Sequence, residues 1–441
     1  MTELDPKQMM GRWMTTALVI GGMIGAGIVL LPVSLAPLGY NAVIAWVVSG
    51  TGVLALAYAL ALTARQDGQG IQAYLERLLG PTIAFAITWS FWVSVWVGNA
   101  AMGVAAAGAL SLALPGGLSD QSIAYLAIAM VVFLAIVNAF GARATGGTAI
   151  ITVLIKILPL VGVVVIAALR GANGHPFEAI APLPITFDNI ATASAFTLFA
   201  LLGFENATAP VDKVRNPNRT IPFAILAGVA FVAILYLLCT TAISLVMPVD
   251  AVMASRAPFA SAIGGEWGMI PALLAAFAMA VSAFGCLSVG VMIAGELGYS
   301  MALRGDLPSV LARADRKETP IVSQVFASAL AIGLILANMD QSTVGLFNFL
   351  ILLGTSATLW LYVAGAIAAL RTRPAPLSMA VIAVGLLFAG FAFYGAGMKA
   401  DLWSIVLIAI GLAVRMVMRR LNSPAAIPPA AAPAAPRGSS A

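Results

Sequence analysis

The chain has 441 residues, 61% of them hydrophobic and only 9% charged, with a formal net charge of +5. Soluble domains carry about 25% charged residues, so this composition leaves too little polar surface for a water-facing fold of this length. Lipid is the solvent that fits, and the basic excess follows membrane topology rather than pointing to nucleic acid.

In chain order, the polar start MTELDPKQMMGRW lacks a small-residue cleavage site, which predicts a retained first helix rather than a signal peptide. Apolar runs then recur along the chain. A helix crossing a ~30 Å hydrocarbon layer takes roughly 20 apolar residues. On that measure the sequence predicts about twelve spans, over 13–36, 42–63, 81–113, 121–140, 148–169, 189–210, 222–247, 269–300, 321–338, 343–370, 377–397 and 402–419. The third and eighth exceed one perpendicular crossing, which implies tilt or extension beyond the bilayer. Poor alternation at period two argues against a β-barrel. The class expected is therefore an all-α polytopic membrane protein, since helices satisfy every backbone polar group inside lipid. The Pro/Ala-rich end, SPAAIPPAAAPAAPRGSSA, reads as a disordered tail over 422–441.

Charge placement sets an expected orientation. With residues 1–12 in the cytoplasm, basic residues from Lys7 and Arg12 through Arg371 and Arg373 fall on the cytoplasmic side. Only Arg170, Arg256 and Lys399 fall opposite, which is the positive-inside asymmetry. Cys239 and Cys286 both lie in spans, read as small apolar residues, and imply no disulfide framework.

Three places break the lipid rules. The first is GGMIGAG, Gly21 to Gly27, in the middle of span 1. Each glycine weakens a helix by about 1 kcal/mol relative to Ala. The segment is either a broken helix that frees backbone groups for a ligand, or a small-residue seam for packing. The second is Gly203-Phe204-Glu205 in span 6. An intramembrane carboxylate marks a functional site by default. It lies in a span that would open a second five-helix repeat, the position that span 1 holds in the first. A cap or bridge between helices is the plainer reading of Glu205. The third is Lys156 in span 5, too far from either end to snorkel easily. A buried ammonium there is a proton carrier, a stand-in for a bound cation, or a group nearer the interface than the boundaries imply.

GGMIGAGIVLLP, with FALLGFENA followed by VRNPNRTIPFA, resembles the amino acid–polyamine–organocation (APC) transporters, as do WVSVWVGNA, RAPFA and RGDLPSVLARADRKETP. The likeness runs in order over nearly the whole chain. Within that superfamily it is nearest to the bacterial exchangers of basic amino acids and their decarboxylation amines, such as the arginine/agmatine antiporters. The resemblance implies two inverted repeats, here 13–170 and 189–370, with spans 1 and 6 unwound and two further helices over 377–419. It also implies alternating access, no enzymatic activity and no cofactor. Relatives often pair as homodimers.

By position, the resemblance makes Gly21, Gly22, Ile24, Gly25, Ala26 and Gly27 the cradle for a substrate's carboxylate and amine. Phe91, Val95, Asn99 and Met102 fall on pocket positions of span 3, Phe199, Leu202, Gly203 and Glu205 on those of span 6. Gly290 of span 8 and Phe347 and Gly354 of span 10 complete the set. The chain departs from the exchangers where their Asn and Ser are Gly22 and Ala26, and where their tryptophans are Phe199 and Gly290. Gly354 replaces a polar pocket residue. The pocket has thus lost aromatic faces and hydrogen-bonding groups that hold a guanidinium. Lys156 resembles the span 5 lysine of proton-coupled, sodium-independent relatives, where the ammonium takes a sodium ion's place.

Two substrate readings follow, a basic amino acid exchanged for its amine, or a neutral or broad-range amino acid moved by exchange or with protons. Glu205 and Lys156 would couple binding to the conformational change. An ion channel would show a filter-like loop, and an enzyme a catalytic constellation. The only histidine, His175, falls in a loop, and Trp89, Trp92 and Trp96 run at helical spacing as packing or interfacial residues.

Overall fold

The computed structural model describes residues 11–64, 70–112, 114, 117–139, 146–205, 214–315 and 319–421. Among these no strand forms, and the apolar runs close into helices whose backbone groups are paired internally. Span 1 is two helices, α1 (Arg12–Met23) and α2 (Ala26–Leu35), which meet at a 53° bend. Span 2 is α3 (Tyr40–Ala64), and a short amphipathic helix α4 (Gly70–Leu79) leads into α5 (Pro81–Ser111). Then come α6 (Asp120–Ala139), α7 (Gly146–Ala172), α8 (Phe187–Ala200) and α9 (Pro217–Val246). Two short helices, α10 (Val249–Ala254) and α11 (Pro258–Trp267), precede the 35-residue α12 (Met269–Leu303). The chain continues through α13 (Ile321–Leu336), α14 (Thr343–Arg371), α15 (Pro376–Ala396) and α16 (Met398–Leu421).

Nine of these helices are individually long and apolar enough to cross a membrane, and the bent α1–α2 pair makes a tenth span. The apolar α13 is shorter, at 16 residues. The expected span 6 stops being helical at Ala200 rather than running to 210, and residues 206–210 lie outside the described set. The span predicted over 222–247 begins earlier than its expected bound. Asn216 takes a left-handed conformation at the N-cap, and α9 starts at Pro217, a proline suited to a first helical turn. The expected tail over 422–441 and residues 1–10 lie outside the described residues.

Helix α5 is the axis of the bundle. It packs on α12, α14, α6 and α2, and with α14 is the most deeply buried of the spans, whereas α15 and α16 are the most open to lipid. The tryptophan stripe works as packing. Trp89 donates to Leu407 O at 2.7 Å and Trp92 to Ala294 O at 2.8 Å, tying α5 to α16 and α12. The short α4 is pinned by an Arg304–Glu76 ion pair and by the Arg371 guanidinium on Leu78 O. His175 is exposed in the connection between α7 and α8, and both cysteines are buried and free.

Candidate functional site

Where α1 ends, its last carbonyls lose their helical partners and need others. Ile24 N still bonds Ile20 O at 2.8 Å, but Ile24 and Gly25 are extended, and α2 restarts at Ala26 without a side-chain cap. Side chains from three other helices take over. Lys156 Nζ on α7 donates to Gly21 O at 3.0 Å. The Tyr236 hydroxyl on α9 donates to Met23 O at 3.1 Å. From α12, Ser282 Oγ and Cys286 Sγ reach Ile24 O at 3.5 and 3.4 Å. A break held open by dedicated donors is a built feature, so the packing-seam reading of GGMIGAG does not account for it alone. Lys156 is 7% exposed, so its ammonium is enclosed among the helices and does not project from the bundle's outer face.

The second break answers the first. After Ala200 the chain turns through Leu201 and Leu202 to Gly203, which holds φ +108°. A Cβ at Gly203 would lie 2.7 Å from Gly22 O, so the two broken segments meet backbone to backbone. Glu205 folds back on this turn. Gly203 N donates to its carboxylate oxygens at 3.2 and 3.1 Å, and the Tyr362 hydroxyl of α14 donates to Oε2 at 2.9 Å. Phe204 stacks on the Tyr362 ring at 5.1 Å. Glu205 therefore caps the broken turn and also bridges to α14.

The remaining expected positions surround this junction. Phe91, Val95, Asn99 and Met102 share one face of α5, and all but Asn99 are only part-buried. Leu202 is part-buried as well. Phe199 lies across the cradle: a Cβ on Gly27 would be 3.5 Å from its ring and one on Gly354 3.3 Å. These glycines make the slot the ring occupies. At Gly290 a Cβ would stand 1.9 Å from Asn99 Oδ1, so the Asn99 amide fills the place a larger residue would take. That oxygen is buried and has no hydrogen-bond partner. Phe347 is fully enclosed in the core of α14. Gly25 packs against Cys286, where a Cβ would be 2.7 Å from Sγ. The side chain of Ala26 lies outside the described residues.

Four contributors were not anticipated as such, namely Tyr236, Ser282, Cys286 and Tyr362. Hydroxyls and thiols in apolar helices are common, so nothing in the sequence singles them out. Only the fold brings them to the breaks.

Two interrupted helices meeting inside a bundle of membrane spans, an ammonium at one break and a carboxylate at the other, are the construction of a secondary transporter. The chain belongs to the amino acid permease family, whose model matches residues 10–396. It is 28% identical over 419 residues to the putrescine transporter PotE of Escherichia coli (strain K12), covering 91% of this chain and 94% of that one. The putrescine transporter PotE of Haemophilus influenzae is 29% identical over 408 residues, covering 90% and 94%. The cadaverine/lysine antiporter of Escherichia coli (strain K12) is 31% identical over 349 residues, covering 74% and 75%. The chain is thus a multi-pass membrane transporter of the APC type.

Proposed function

We propose that this protein exchanges a basic amino acid for an amine across the bacterial inner membrane by alternating access, with both termini in the cytoplasm. The observation that carries the reading is the meeting of the two breaks at Gly22 and Gly203. Backbone groups there would take the substrate's α-amino and α-carboxyl ends, with Phe199, Phe91 and Met102 shaping the side-chain pocket. The unpartnered Asn99 oxygen is an acceptor waiting for an N–H donor. A buried acceptor without a partner costs about 1–3 kcal/mol, which a terminal ammonium would relieve and an aliphatic side chain would not. Relatives named for putrescine and for cadaverine and lysine support the same class. Spans 1–5 and 6–10 would be the two inverted repeats, because the first span of each is the broken one, and the copies would pair as homodimers.

A second reading rests on Lys156 at the span 1 break and on the glycines at 22, 290 and 354, which leave few groups to hold a guanidinium. It makes the substrate a neutral or broad-range amino acid, exchanged or moved with protons. Counterflow in proteoliposomes separates the two. Labelled lysine, ornithine, arginine and putrescine are compared with leucine and alanine. Uptake of the basic compounds at the level of protein-free vesicles, beside clear neutral uptake, would remove the first reading.

A further inference from the structure

We propose that Cys286, on α12, is a positioning residue for Lys156, and that its sulfur keeps the ammonium in place when α1 moves away. The inference deepens the reading of Lys156 as a coupling group and rests on it.

Lys156 Nζ has two hydrogen-bond acceptors in the structure, Gly21 O at 3.0 Å and Cys286 Sγ at 3.3 Å. The thiol in turn donates to Ile24 O at 3.4 Å. A chain of contacts therefore runs from the ammonium through the sulfur to the first residue of the break. Gly21 belongs to α1, and Ile24 is the first residue past it. If α1 swings about the 53° bend during transport, the Gly21 contact travels with it. Lys156 on α7 and Cys286 on α12 sit on helices that pack on each other directly. The sulfur is therefore the partner that remains. An ammonium only 7% exposed and stripped of every acceptor is expensive to leave in place.

The surroundings leave the thiol little substitute. Among the described residues, the titratable groups nearest this junction are engaged elsewhere: Tyr236 on Met23 O, Cys239 on Tyr236 O, and Glu205 on Gly203 N and the Tyr362 hydroxyl. Ser282 spends its hydroxyl proton on Ile24 O at 3.5 Å. Sulfur also shapes the break, because it fills the concavity beside Gly25 that a Cβ there would enter at 2.7 Å. An acceptor at position 286 is needed, and it must be small.

The test compares Cys286→Ala, Cys286→Ser, Cys286→Val and Lys156→Ala in proteoliposomes, reading exchange rate, KM and the pH profile of exchange. Losing a hydrogen bond to a charged group is expected to lower turnover about tenfold, with KM within about twofold. Cys286→Ala should reproduce the direction of the pH-profile change seen in Lys156→Ala, and Cys286→Ser should restore the wild-type profile. Cys286→Val also lacks an acceptor but adds volume where Cys286→Ala removes it, so the same pH-profile change in both variants separates the effect from a packing defect. A wild-type profile in Cys286→Ala or Cys286→Val, with Lys156→Ala altered, overturns the inference alone. An unaltered Lys156→Ala overturns the coupling reading beneath it.

Discussion

Replacing Gly203 by alanine puts the meeting of the two breaks under direct strain. At φ +108° an L side chain is held in a sparsely populated conformation, a strain of about 1–3 kcal/mol. The added methyl would also stand 2.7 Å from Gly22 O, 3.1 Å from Gly22 C and 3.4 Å from Met23 Cα. All three are backbone atoms, so no rotamer change gives relief. The breaks must part until contacts reach about 3.5 Å. If about 2 kcal/mol of this falls on the state in which the breaks touch, and not on states in which they are apart, that state loses about thirtyfold in population. Exchange that passes through it should slow by at least about tenfold. The assay is counterflow in proteoliposomes, with Gly390→Ala as control, since a Cβ at Gly390 meets nothing within 4 Å. Gly203→Ala exchanging as fast as Gly390→Ala would refute the reasoning.

Other outcomes follow from the same contacts. Glu205→Ala removes the acceptor of Gly203 N and of Tyr362, and should abolish or strongly impair exchange while the protein still inserts and remains monodisperse; wild-type rates would contradict the assignment. Tyr362→Phe removes one of those bonds, a charge-assisted bond worth about 1.5–3 kcal/mol, and should slow exchange about tenfold, with little further loss in the Glu205→Ala background. Independent, multiplicative losses in the double variant would show that the two residues do not act together. Lys156→Ala should change the pH dependence of uptake, and an unchanged profile would make the lysine structural. A leucine at Gly27 would place its Cβ 2.9 Å from Ala200 Cα and should block binding, read as loss of ligand-induced thermal stabilisation; retained stabilisation would place the substrate elsewhere.

Much of this architecture is legible in the residues because lipid is an unforgiving solvent. Most apolar runs became helices within a few residues of the expected bounds, and the two segments that contradict helical or apolar rules, GGMIGAG and GFE, are where the spans break. Lys156 and Glu205 stood out because charge inside an apolar run has few explanations. What stayed hidden shares one cause. Tyr236, Ser282, Cys286 and Tyr362 matter only through contacts between helices far apart in sequence, and their side chains are ordinary in a membrane helix. Cys286 reads as a small apolar residue until the Lys156 contact is seen. Helices α4, α10 and α11 are too short to leave a span-length signal, and α9 starts before the predicted 222 because Pro217 and Pro222 punctuate the sequence without ending the helix. Gly290 in place of a larger residue reads as a lost group, yet the Asn99 amide fills the space.

The most direct trial is an experimental density map of the protein at saturating lysine or putrescine. The account predicts ligand density lodged between residues 21–27 and 199–205, its amino group on freed backbone of the breaks and its far end near Asn99. Continuous helix through both segments, or ligand bound anywhere else in the bundle, would contradict it.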